Sequence, residues 1–316
     1  MNAILRSARP SALQVPRLIA IDMDGTLLGV TGRVSARNLE ALRSAEKAGA
    51  EVVIATGRRH CYAMEILQDL QLNPANAVVS SNGTVVRTIA SRLLHRTLLP
   101  LSTARWLCAH LADFRNSLVL TFDAVGPNGE DTKGALVVEH LDELNSNVGS
   151  WMQSNQASIR HVEQLESALE HELPIQVMLC GSLDRMRLAE ERLLEQTGVS
   201  ESGATAQERL HERGIAVHRT EYTGRDLCIV DILPAGCSKG AALLRYAANR
   251  GLEAADILAI GDNWNDVSML EVAGQAVLMA NAPRELKRIA VASNWTMGLS
   301  NENDGVAAAI ENALNL

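Results

Sequence analysis

Near both ends of the 316-residue chain, short and nearly continuous apolar runs alternate with amphipathic segments of helical period. The runs are RLIAI (17–21), EVVIA (51–55), AVVS (77–80), ILAI (257–260) and AVLM (276–279). A strand that is apolar at successive positions is buried on both faces, which calls for helices on each side of a parallel sheet. Between the runs, Ser35 to Ala48 places Leu39, Leu42 and Ala45 at helical spacing, and Cys61 to Leu70 and Ala241 to Asn249 follow the same pattern. The alternation predicts βαβ units and a doubly wound parallel sheet built from both ends of the chain.

The rhythm changes from about Ile89 to Asp231. Helical segments at Ser102 to Phe114 and Ser182 to Gln196 mix there with isolated strands SLVLTF (117–122), ALVV (135–138), IQVMLC (175–180) and IAVHRT (215–220), joined by polar stretches such as GPNGEDTKG (126–134). The expected organisation is an N-terminal extension at 1–16, a Rossmann-like α/β core at 17–88 and 232–316, and an inserted α+β domain at 89–231. A core made from both ends with an insert between them puts a cleft at their junction, where ligand sites tend to form.

Composition narrows the function classes. Apolar residues make up 47% of the chain, enough to fill real cores. Lys and Arg total 29 against 37 for Asp and Glu, a net charge of −8 with no dense basic cluster. That balance argues against nucleic acid or an anionic membrane surface as partner. No apolar stretch nears the roughly 20 residues that span a bilayer. Arg6 and Arg9 are followed by no apolar signal core. Five scattered cysteines, Cys61, Cys108, Cys180, Cys228 and Cys237, have neither metal-ligand spacing nor a CxxC pair. The expectation is a soluble cytoplasmic protein with free, buried thiols; the pattern carries no signal of oligomeric state.

Residues just after buried parallel strands are pre-positioned for chemistry. Asp22 and Asp24 follow RLIAI, Thr56 follows EVVIA, and Asp262 follows ILAIG. Carboxylates that converge repel one another unless a cation or proton lies between them. The candidate ligands are all oxygen donors, which suit Mg²⁺ held together with substrate phosphate. Lys239 follows Ser238 at the start of CSKGAALLRYAANRG, a helix with a capping residue and Gly251 as terminator, so lysine and free N–H groups form an anion site. Metal, nucleophile and anion site together point to phosphoryl transfer. Asn82-Gly83 reads either as a tight turn into TVVRT (84–88) or as a substrate contact.

The segments DMDGT (22–26), ATGR (55–58), PAGCSKG (234–240) and GDNWND (261–266), in order, resemble the four motifs of haloacid dehalogenase-type phosphatases. SSNG (80–83), NAPRELK (281–287) and NENDGVAAAI (301–310) extend the likeness to the Cof-type branch, whose C2-type cap lies between the second and third motifs. The resemblance implies Asp22 as nucleophile and Asp24 as acid and base. It implies Thr56, Gly57, Lys239 and Asn265 around the phosphoryl group, and Mg²⁺ held by Asp22, Asp24 through its main-chain carbonyl, and Asp262. Asp266 is left to bind Mg²⁺ directly, through water, or by orienting Lys239; Arg58 and Asn82 are weaker contacts. The implied substrate is a small phosphorylated metabolite, a sugar phosphate or a phosphorylated cofactor. The implied cap faces its leaving group, with Asp123 one of many polar candidates. A phosphomutase, or a phosphate-ligand binding protein without turnover, are the alternatives.

Overall fold

The computed structural model describes residues 15–126, 129–130, 132–140, 155–195, 214–222 and 226–315, so all but the last two residues of the expected N-terminal extension lie outside it, as does Gln196 at the end of a predicted helix. The strands are β1 (Leu18–Ile21), β2 (Glu51–Ala55), β3 (Ala77–Ser80), β4 (Val85–Thr88), β5 (Leu93–Arg96), β6 (Leu118–Thr121), β7 (Leu136–Val138), β8 (Ile159–His161), β9 (Gln176–Gly181), β10 (Ile215–Tyr222), β11 (Leu227–Pro234), β12 (Ile257–Gly261), β13 (Gln275–Leu278) and β14 (Thr296–Met297). They form an eight-stranded sheet, β14-β13-β12-β1-β2-β3-β4-β5, and a six-stranded sheet, β10-β11-β9-β6-β7-β8.

The five predicted runs occupy adjacent positions in the larger sheet, and pairing from β14 to β3 is parallel. Strand β1 shows why its run is continuous. Ile19 and Ile21 face a cluster with Leu42 of the helix Ala36–Lys47 and Ile310 of Gly305–Leu314. Leu18 and Ala20 face Leu243 of Lys239–Ala248 and Leu286 of Arg284–Ala292 on the other side. The core is therefore doubly wound. Ser35 caps the first helix by accepting the N–H of Asn38.

The structure adds two antiparallel strands, β4 and β5, at the edge of this parallel sheet. The chain leaves the larger sheet after Arg96 and the smaller sheet at Pro234. In the smaller sheet, Leu118 and Leu120 pack on Leu107 of the helix Leu101–His110 and on Met186 and Leu193 of Leu183–Glu195. The opposite face carries Val119, Met178 and Cys180, with half-buried Tyr222 and Ile229 against them. All five cysteines are buried and none forms a disulfide. No helix among the described residues is long and apolar enough to cross a membrane.

Candidate active site

Register delivers the chemistry to one edge. Ile21 of β1 lies opposite Ile54 of β2 and Ile260 of β12, so the three strands end at nearly one level. Asp22, Thr56 and Asp262 follow those ends and are all buried. Gly25 has φ +84, and a Cβ on it would lie 2.4 Å from Asp262 Oδ2. The turn after β1 thus passes against the second acid so closely that only glycine fits.

Lys239 lies at the first position of its helix, capped by Ser238, which accepts the N–H of Ala241. Its side chain is fully buried and donates to Asp22 Oδ1 at 2.6 Å and to Asp266 Oδ1 at 2.7 Å. The other oxygen of Asp266 accepts the backbone N–H groups of Asp262 and Asn263, 2.9 Å each. Asp266 thus holds Lys239 by hydrogen bond, one of the three roles open to it. Thr26 donates to Asp262 Oδ1 at 2.8 Å, and Asn281 donates to Asp262 Oδ2 at 3.1 Å and to the Gly25 carbonyl at 2.7 Å.

Ligand oxygens of Asp22, Asp262 and Asp266 lie within 4.8 Å of one another. Three carboxylates facing one ammonium leave excess negative charge in a dry place. Burial first, then Asp266, pushes the Asp22 carboxyl up to about 7, with Lys239 opposing. Asp262 is held well above its ordinary value, by burial and then by Asp22 and Asp266. Burial works against the charge on Lys239, yet the two acids outweigh it and hold the lysine above its usual range. A divalent cation is what such a donor set lacks: hard oxygens, clustered, with charge to spare. The residues present therefore fit Mg²⁺.

The Asp24 carboxylate accepts two hydrogen bonds from Arg58 of the second motif, at 2.7 Å from Nε and 2.6 Å from Nη2. Only the main chain of Asp24 is left for a metal. Arg58 also stacks over Tyr62, 4.7 Å from the ring centre. Thr56 Oγ1 accepts the N–H of Arg58 at 3.1 Å, a local turn ahead of the helix His60–Leu67, whose N-cap position is Arg59. Asn265 donates to Asn82 at 3.1 Å, and both are buried beside Gly57. Asn82 is thus behind the site, in a 3₁₀ turn, Ser81–Gly83, that does lead into β4. Trp264 packs against the core cluster under the sheet. Asp123 is not free for a ligand, being paired with Arg87 at 2.8 Å and Arg96 at 3.2 Å. His60, two residues after the second motif, is buried against Ser91.

Sequence reasoning missed Thr26, Asn281, Tyr222 and Asp231. The first lies inside DMDGT and the second opens NAPRELK, so position in a motif was the available signal. Tyr222 ends β10 of the smaller sheet, and its hydroxyl is pushed up by burial and then by the charges of Asp24 and Asp22. A residue of the smaller sheet therefore feels the charge of the acids that end the larger one.

The sequence profile of the haloacid dehalogenase-like hydrolases matches residues 19–310. The chain is 31% identical over 312 residues to the 5-amino-6-(5-phospho-D-ribitylamino)uracil phosphatase YwtE of Bacillus subtilis (strain 168), covering 95% of this chain and 98% of that one. It is 29% identical over 296 residues to the pyridoxal phosphate phosphatase YbhA of Escherichia coli (strain K12), covering 93% and 97%. The solved structure of a haloacid dehalogenase-like hydrolase from B. subtilis matches with a TM-score of 0.71 at 25% identity, over 93% of this chain and 99% of that one. With the profile matched over nearly its whole length and relatives aligned end to end, the chain belongs to the haloacid dehalogenase-like hydrolases and is a phosphoric monoester hydrolase.

Proposed function

We propose that the protein is a Mg²⁺-dependent phosphatase of small phosphorylated metabolites that turns over through an aspartyl-phosphate on Asp22. The observation that carries this reading is buried Lys239, 2.6 Å from Asp22 and 2.7 Å from Asp266, with Asp262 in the same cluster.

An Asp22 oxygen attacks phosphorus, forming an acyl phosphate as the bond to the leaving oxygen breaks. Asp24 gives that oxygen a proton, then takes one from the water that attacks the acyl phosphate, releasing inorganic phosphate and restoring the Asp22 carboxylate. To do either, Asp24 must swing out of its pair with Arg58, and the stacked guanidinium marks where it returns. Lys239, the Thr56 hydroxyl, the Gly57 N–H and the Asn265 amide hold the phosphoryl oxygens as charge gathers on them. Asp22, Asp262 and the main-chain carbonyl of Asp24 would hold Mg²⁺, with Asp266 fixing the lysine beside it. When bound, the ion offsets the repulsion between an anionic nucleophile and an anionic ester.

The segment carrying the smaller sheet, between Arg96 and Pro234, is the cap in this reading, and Tyr222 is a residue of it whose hydroxyl feels the charges of Asp24 and Asp22. Relatives named for a phosphoribityl-aminouracil and for pyridoxal phosphate support substrates of that size. The test is phosphate release from a panel of sugar phosphates, pyridoxal phosphate and ribityl phosphates, with Mg²⁺ or chelator, for the natural protein beside Asp22→Asn. Metal-dependent release abolished in the variant is expected. Release that persists in Asp22→Asn, or that ignores chelator, overturns the reading.

A further inference from the structure

Two successive residues that are not glycine hold left-handed backbone after β3: Ser81 at φ 47 and Asn82 at φ 51. Such strain persists only where the surroundings enforce it, and it collects at functional places. Both residues are buried, at 1% and 0% exposure. The Ser81 N–H donates to the Arg58 carbonyl at 2.8 Å and the Asn82 N–H to the Thr56 carbonyl at 3.1 Å. A Cβ on Gly83 would lie 2.2 Å from the Ser238 carbonyl oxygen. The strained turn is therefore seated between the loop of Thr56 and the start of the Lys239 helix.

From this seat the Asn82 amide reaches in two directions. Its nitrogen donates to Asp231 Oδ2 at 2.7 Å, and its oxygen accepts from Asn265 Nδ2 at 3.1 Å. Asp231 comes from β11 of the smaller sheet, is buried, and has Gln176 donating at 3.4 Å to its other oxygen. Burial pushes the Asp231 carboxyl up to about 7, and above that pH, in its ionised form, it only accepts hydrogen bonds, whereas an amide can turn either end outward. Asp231 thus dictates that Asn82 shows its nitrogen to β11 and its oxygen to Asn265. Asn265 must answer with its nitrogen, whose second N–H remains. The relay runs beside Gly57, where a Cβ would stand 3.3 Å from both Asn82 amide atoms and 3.6 Å from Asn265 Nδ2.

We propose that Asp231 is a positioning residue for phosphoryl binding: through Asn82 it fixes the polarity of the Asn265 amide, so that an N–H rather than a carbonyl oxygen meets the phosphoryl oxygens. The smaller sheet then contributes to binding the transferred group as well as standing over it. This rests on the reading of Asn265 in the proposed function.

Asp231→Ala removes the acceptor and lets both amides turn over. Inhibition by inorganic phosphate and kcat/KM on the best ester of the panel are expected to weaken about ten- to a hundredfold, the scale of one hydrogen bond to a charged group. The double variant Asn82→Asp with Asp231→Asn tests polarity itself. A carboxylate at 82 accepts from both neighbours and turns Asn265 nitrogen-first again, so both constants are expected to recover to within about tenfold of the natural protein. A merely structural role would lower the melting midpoint without this recovery. If Asp231→Ala does not fold, Asp231→Asn alone, whose amide can offer either end to Asn82 and so leaves both amides free to turn, is compared with the double variant. Constants unchanged in folded Asp231→Ala, or a double variant no better than the single one, overturn the proposal. If the natural protein shows no phosphate release dependent on Asp22, the underlying reading has failed instead; if it does and the Asp231 series is silent, only this inference has.

Discussion

Lys239→Met is the sharpest perturbation of the site, because it keeps the length of the side chain and deletes the only ammonium bound to Asp22 and Asp266 among the described residues. Both acids are buried, and stripping the partner from a buried ion pair costs about 3–5 kcal/mol. The loss has a defined pH dependence. Lys239 is held above its ordinary 10.5, so its stabilising charge is fully present at every pH below that value. Asp22 already stands at about 7 against an ordinary 3.8, and a carboxyl raised in the fold makes stability fall as pH climbs between those two values. Without the lysine to oppose burial and Asp266, that fall continues past 7. Denaturant melts of the natural protein and the variant from about pH 5 to about pH 9 should therefore show a gap that widens with pH, by up to about 1.4 kcal/mol per pH unit for each proton held. Millimolar Mg²⁺ should narrow the gap on the alkaline side, as a second cation takes the vacated charge. A gap that is constant with pH, or indifferent to Mg²⁺, refutes the view that Lys239 acts as a counter-charge to the cluster.

Gly83→Ala places a methyl group 2.2 Å from a backbone carbonyl at φ +99, so a loss of about 2–4 kcal/mol is expected in a denaturant melt. Asp24→Asn should slow formation of the acyl phosphate from alkyl phosphates by about a hundred- to ten-thousandfold and from aryl phosphates with good leaving groups far less, read as a pre-steady-state burst of the released aryl alcohol, since only the former need a proton at the leaving oxygen. His60 is pushed down to about 4 by burial and then by Arg87, so the fold carries it neutral and loses stability as pH falls from 6.5 to about 4. His60→Gln should remove about 3 kcal/mol of that acid-side loss, read as a flatter stability curve between those pH values.

Strands buried on both faces write their own signature, which is why β1, β2, β3, β12 and β13 were legible as apolar runs. Edge strand β5 was not, since LLHR is largely exposed and carries neither a continuous run nor a clean alternation. Strand β11 was passed over for a different reason. LCIVDILP reads as a buried strand interrupted by an acid, and an acid inside a buried strand is itself the sign of a polar partner. That partner, Asn82, lies 149 residues away, beyond the reach of local pattern. The same distance hid the hold of Thr26 on Asp262, 236 residues apart. The spacing of the four motifs gave the residue types at the site but not the orientation of Asp24, because a competing cation at Arg58 draws its carboxylate aside.

The passage of β11 into the Lys239 helix bears on how freely such insertions can be exchanged between relatives. Asp231 belongs to the smaller sheet by pairing and is tied by hydrogen bond to Asn82 of the turn after β3, only eight residues before Lys239. A graft joined after Pro234 imports the donor's residue at 231 along with its recognition surface, whereas one joined before Leu227 leaves Asp231 facing its own Asn82. A library of swapped insertions joined at the later point should therefore sort by whether the incoming side chain accepts a hydrogen bond, and members that fail that requirement would be lost whatever substrate their new surface fits.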